Sequence, residues 1–245
     1  MNPTLEMQVS QTQAGLYTVT YVRKEASLDA QETSFAANGL EIVSPAQLGF
    51  LRAQGPEGTF NHYSRTNADV LYDDRTDKVV IFPNGALNSK LGIASIANLV
   101  DNLVDAHRQK KEYVISEAQR DKVYAMVDEM LRSGIAFVAP HGQTDVSTSK
   151  FGQTELTSKL FSDKSLGIEA QDYGNWLQSQ KRNAKTFLMD RKDYSRAQKA
   201  PYLNRLCFFV PGGDFFVFGI GKSLASNYGA FGVRFEKTAE VGAKK

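Results

Sequence analysis

Residues 181–199 hold seven cations in nineteen positions: Lys181, Arg182, Lys185, Arg191, Lys192, Arg196 and Lys199, with Phe187 and Tyr194 set among them. Lys and Arg neutralise phosphates and displace condensed counterions, while aromatic rings accept unstacked bases, so this mixture suits a single-stranded nucleic acid. Lys222, with Arg205 and Arg234, could extend the same surface onto the apolar, glycine-punctuated runs that follow. The plainer alternatives are a solvated charged face, or a face that meets an acidic surface on another subunit.

Motifs for covalent or metal chemistry are weak by comparison. Gly219-Ile220-Gly221-Lys222-Ser223 hints at a nucleotide phosphate loop, but the pattern needs a glycine five residues before Gly221, where the chain has Phe216. Asp73, Asp74 and Asp77 could offer oxygen ligands to a hard cation, yet their spacing is not that of a calcium loop, and Asp is a favoured turn residue. His62, His107 and His141 have no Cys or His at ligand spacing, and His141, though it follows a strand end, has no nucleophile motif near it. No catalytic residue, metal ligand or cofactor is therefore assigned, and an enzyme is the least supported class.

The wider run Gly219-Ile220-Gly221 to Tyr228-Gly229-Ala230-Phe231-Gly232 pairs glycines around a short polar loop. It resembles the glycine-rich loop of the ferredoxin-like RNA-binding proteins of CRISPR systems. That resemblance implies a backbone, bare of side chains, that approaches RNA closely; no catalytic His is matched. The alternative is that these glycines serve bulges and tight turns between strands.

Charge is unevenly placed. Residues 1–180 carry 16 Lys+Arg against 22 Asp+Glu, a net of −6, whereas residues 181–245 carry 13 against 5, a net of +8. The overall +2 hides this step, which points to a polyanion partner or to complementarity between copies. Hydrophobic content of 42% is enough for a core. The lone Cys207 sits in an apolar run, where it reads as a small core residue, and nothing argues for an oxidising compartment. No secretory signal is visible, and no apolar stretch nears the roughly 18 residues of a membrane span, so the expectation is a cytoplasmic protein, or one inside a particle assembled there, with no membrane partner.

The elements that must position these residues follow from local patterns. Strands are predicted over 16–22, 78–82 and 135–139. A helix over 46–54 has a Ser44 cap, Pro45 at its first position and Gly55 past its end. Ile96, Leu99, Val100, Leu103 and Val104 mark one central helix. Val123, Val127, Met130 and Leu131 mark a second, opened by a capping-box pattern at Ser116 and closed by Gly134. Residues 61–77 and 141–153 read as polar and turn-rich, the latter as a long loop or boundary. Short helices are expected over 154–161 and 171–180, where Tyr173, Trp176 and Leu177 share a face that either packs in the core or lines a partner groove. Apolar runs at 205–210, 214–220 and 228–235 suggest a C-terminal β-meander.

The expected fold class is α+β, with a helical centre, antiparallel strands at both ends and the C-terminal β-meander. Two parts are expected, an acidic α/β body over 1–140 and a basic part over 155–245, with one domain over 1–245 as the alternative. The expected function is non-catalytic binding of single-stranded RNA or DNA through Lys181, Arg182, Lys185, Phe187, Arg191, Lys192, Tyr194, Arg196, Lys199 and Lys222. The alternative is a structural subunit of a homo-oligomeric particle or filament, assembled head to tail by charge.

Overall fold

The structure is a computed structural model that describes residues 5–12, 15–26, 28–55, 60, 64–73, 75–76, 78–83, 117–139, 142–188, 202–208, 216–217 and 228–238. Its strands are β1 (Leu5–Thr12), β2 (Gly15–Ala26), β3 (Glu41–Ile42), β4 (Ser64–Asp73), β5 (Lys78–Phe82), β6 (Phe137–Ala139), β7 (Gly142–Val146), β8 (Ala184–Leu188), β9 (Tyr202–Phe208), β10 (Phe216–Val217) and β11 (Tyr228–Lys237). The helices are α1 (Leu28–Ala36), α2 (Pro45–Gln54), α3 (Glu117–Arg132), α4 (Glu155–Phe161) and α5 (Ala170–Ser179), with a 3-10 helix over Thr148–Gln153. The class is α+β. No described helix is long and apolar enough to cross a membrane.

β5 shows how the layers arise. In Lys78-Val-Val-Ile-Phe82 alternate side chains leave opposite faces of the pleat. Val79 and Ile81 join one core, shared with α2, α4 and α5, while Val80 and Phe82 join another with Val123, Val127 and Met130 of α3. β11 divides likewise: Phe231 and Val233 enter the first core, and Ala230 meets Phe35 of α1 on the reverse face. A sheet covered on both sides reads as continuous apolar runs, as β5 does.

The main sheet has eight strands, ordered β1-β2-β11-β4-β5-β6, with β3 also pairing β11 and β9 pairing β4. β2 and β11 form an antiparallel ladder running from Tyr228 opposite Ala26 to Lys237 opposite Tyr17. Strands from before residue 140 and after residue 200 are thus interleaved. A smaller sheet, β10-β8-β7, stands apart.

Several local expectations hold. Ser44 caps α2 through a reciprocal box: its hydroxyl accepts from Gln47 N at 3.1 Å, and Gln47 Oε1 accepts from Ser44 N at 2.9 Å. Gly134, at φ +73°, ends α3. The central helix expected around residues 96–104 and the cap at Ser116 lie outside the described residues.

Other expectations need correction. Residues 64–73 form the strand β4 at the middle of the main sheet, drawn in by antiparallel pairing with β5 and β9, and its polar residues Ser64, Arg65, Thr66 and Asp69 are all at most 3% exposed. Residues 142–146 form β7, drawn into the small sheet by antiparallel pairing with β8. The three C-terminal runs do become strands, but not a meander. β9 pairs β4, β10 lies parallel to β8, and β11 sits between β2 and β4, with no pairing among the three in the described residues. The physical reason is burial on both faces: β11 must lie inside a sheet, and sequence periodicity does not name its neighbours.

The aspartates of the β4–β5 turn also have a different role. Asp73 is 2% exposed, and its carboxylate accepts from Arg75 Nε at 3.0 Å and Nη2 at 2.8 Å. Arg75 also reaches Asp128 on α3, at 3.1 Å and 2.8 Å, and lies 3.8 Å from the centroid of Tyr124. One guanidinium thus ties the turn to the helix; Asp74 and Asp77 lie outside the described residues. The hydrogen bonds from Arg75 hold the Asp128 carboxyl below its usual range. A carboxyl whose folded pKa is depressed contributes stability that is fully present above the unfolded value, and loses it as pH falls through the folded one. Asp128→Asn is therefore expected to be less stable than the parent near neutral pH and to converge with it in acid, as pH falls through the depressed folded value. Paired urea titrations across that range would show whether the gap closes. Asp128 is half exposed, so the gap is expected to be small.

Candidate nucleic-acid interface

The site begins where α5 ends. Beyond Ser179 the chain reads Gln180-Lys181-Arg182, with no glycine to stop the helix. The turn closes nonetheless: Lys181 N donates to Gln178 O at 3.0 Å, and Arg182 N donates to Leu177 O at 2.9 Å. This is the paired-bond C-terminal cap whose first residue outside the helix takes the left-handed conformation. Lys181 occupies it at φ 54°, where it is the one non-glycine residue with positive φ among those described. A β-carbon there crowds the following carbonyl, at about 1–2 kcal/mol. Lys181→Gly is accordingly expected to raise stability by about 1 kcal/mol and the melting temperature by about 2–4 °C. Thermal unfolding reads this directly, and a variant that melts below the parent would show that the lysine side chain stabilises the turn.

The aromatic face of α5 leads into this turn. Tyr173 is buried, and its ring stacks on Phe161 at 5.2 Å between centroids with 19° between planes. Trp176, one helical turn on, stacks on Tyr173 at 5.5 Å and 14°. The row thus runs from the core to the surface, since Trp176 is only half-buried. At its outer end the Arg182 guanidinium carbon lies 5.7 Å from the indole centroid, within cation–π range. At the inner end the buried Arg52 donates to the Tyr173 hydroxyl at 3.4 Å and to Phe60 O at 2.9 Å, fixing α5 against α2.

Of the residues expected to bind, Lys181 is exposed, Arg182 is half-buried on the indole, and Lys185 is half-buried on β8, opposite Asp145 of β7. Phe187 lies on the same strand, opposite Gln143 on one side and Val217 of β10 on the other. Arg191, Lys192, Tyr194, Arg196, Lys199 and Lys222 lie outside the described residues, as do His62, His107 and His141. Gly232 of the glycine-rich run has a packing role: a β-carbon there would stand 2.4 Å from the Phe35 ring. Sequence reading did not place Trp176 at the site. The clue was its position one turn after Tyr173 and six residues before an arginine.

The fold and this turn define an α+β protein whose α5 ends in an exposed, left-handed lysine followed by an arginine over an indole. No family model matches the chain, and no curated protein matches it. One solved structure, described as "Accommodation of massive sequence variation in Nanoarchaeota by the C-type lectin fold", has a TM-score of 0.46 at 11% identity, over 93% of this chain and 100% of that one. A likeness of that size establishes no shared fold.

Proposed function

We propose that the protein binds single-stranded nucleic acid without chemistry, through the basic segment that starts at Lys181. The observation that carries the reading is the juxtaposition at the end of α5. A hydrogen-bonded turn presents the exposed Lys181 and sets the next residue, Arg182, over a half-buried indole, at the head of a segment rich in Lys and Arg. Phosphate attraction supplies affinity, and ring stacking selects unpaired strands.

The test changes Lys181, Arg182, Lys185, Arg191 and Lys192 together to Gln and measures the affinity for labelled single strands at low and high salt. Strong, salt-sensitive binding by the parent, lost in the folded variant, is the expected result. Light scattering during size-exclusion chromatography provides the counter-outcome. A nucleic-acid-free oligomer with no affinity for oligonucleotides would overturn the reading and make the charge step a contact between subunits.

A further inference from the structure

We infer that the C-terminal turn of α5 is a binding site for one nucleotide unit of a single strand. Trp176 and Arg182 take the base, and Lys181 takes the adjoining phosphate. The inference rests on the nucleic-acid reading above and narrows it to three residues.

The first support is the fixed plane. Trp176 is stacked on Tyr173, which is stacked on Phe161, and both inner rings are at most 3% exposed. The indole is therefore held by the core before any ligand arrives, so little further order is lost on binding. The second is Arg182. Its main chain is pinned to Leu177, its guanidinium lies over the indole, and its Nη1 is buried there with no hydrogen-bond acceptor among the described residues. The guanidinium thus continues the row from Phe161 through Trp176 as its outermost layer, and a guanidinium plane is a surface on which unpaired bases stack. The third is the strain at Lys181. Glycine or asparagine would fill the left-handed position with less crowding. What lysine adds is a long, exposed cation, held one residue from the stack. Duplex bases are already stacked on both sides, so the surface favours single strands.

Trp176 is the only tryptophan in the chain, so its emission, excited at the red edge where tyrosine does not absorb, reports on this site alone. The full chain is titrated with oligo(dT), oligo(U) and an abasic strand of equal length, while anisotropy of a labelled strand reads total binding. Saturable quenching by the two base-bearing strands, reversed by salt and much smaller with the abasic strand, is the expected result. Arg182→Gln and Lys181→Gly are each expected to weaken binding about tenfold. Because Lys181→Gly should melt above the parent, its weaker binding could not be put down to unfolding. Binding without quenching, or unchanged affinity in both variants, would sink this inference and leave the broader reading standing. Equal quenching by the abasic strand would rule out a stacked base. Absence of any binding by the parent would remove both.

Discussion

Gly174→Ala is expected to lower stability by about 3 kcal/mol, and the melting temperature by about 6–12 °C. Gly174 lies on the face of α5 that meets the 3-10 helix. A β-carbon there would stand 2.4 Å from Phe151 Cβ and 2.6 Å from Thr148 O. Neither neighbour can yield easily. Gln171 Nε2 donates to Thr148 O at 3.0 Å, Gly152 N donates to Gln171 Oε1 at 3.0 Å, and the Thr157 hydroxyl donates to Phe151 O. Phe151 is itself fully buried, edge-on to Phe161 at 5.1 Å and to Tyr173 at 5.7 Å. Pushing the two helices apart therefore opens the core under the aromatic row, and the plane of Trp176 goes with it. Urea unfolding followed by Trp176 fluorescence would measure the loss. A variant within about 0.5 kcal/mol of the parent would show that the 3-10 helix moves freely.

A second large effect is expected at Gln31. Arg65 is 2% exposed in the middle of β4, and its Nη1 donates to Gln31 Oε1 at 3.0 Å. Gln31, fully buried on α1, passes the connection on by donating from Nε2 to Lys24 O of β2 at 2.9 Å. One amide thus serves a buried cation and a strand carbonyl together. Gln31→Leu takes an acceptor from the guanidinium and a donor from the carbonyl, at an expected loss of about 3 kcal/mol. Arg65→Met should also destabilise, since it strands the groups that the guanidinium serves. The double variant is expected to lose less than the two single losses combined, because each removes a partner the other requires. Strict additivity in urea midpoints would show that the two side chains do not act as a unit.

How much of this was legible depended on range. The capping box of α2 spans Ser44 to Gln47, and the apolar face of α3 recurs within a few turns, so both follow from neighbours in sequence. β5 needed only its apolar run. β4 was hidden because Ser64, Arg65, Thr66 and Asp69 look like loop residues, and only the fold buries them and brings Gln31 of α1 to Arg65. β7 was hidden for a related reason: Gln143-Thr144-Asp145 becomes a strand because β8, some forty residues on, offers it an edge. At the site, the charges were visible in full, since charge belongs to the residue type. The strained turn at Lys181 and the row from Phe161 to Trp176 were not.

The sequence by itself determined the α+β class, the caps and amphipathic faces of the shorter elements, and the concentration of positive charge after residue 180. Tertiary structure alone decided which strands became neighbours, and it placed the three C-terminal strands apart rather than in a meander. It also buried Arg65 beside Gln31 and brought Arg182 onto Trp176. Local signals act over a turn or two of chain, where backbone conformation and side-chain period are settled. Strand pairing and the hydrogen bonding of buried polar groups depend on residues tens to hundreds of positions away, and no local pattern names them.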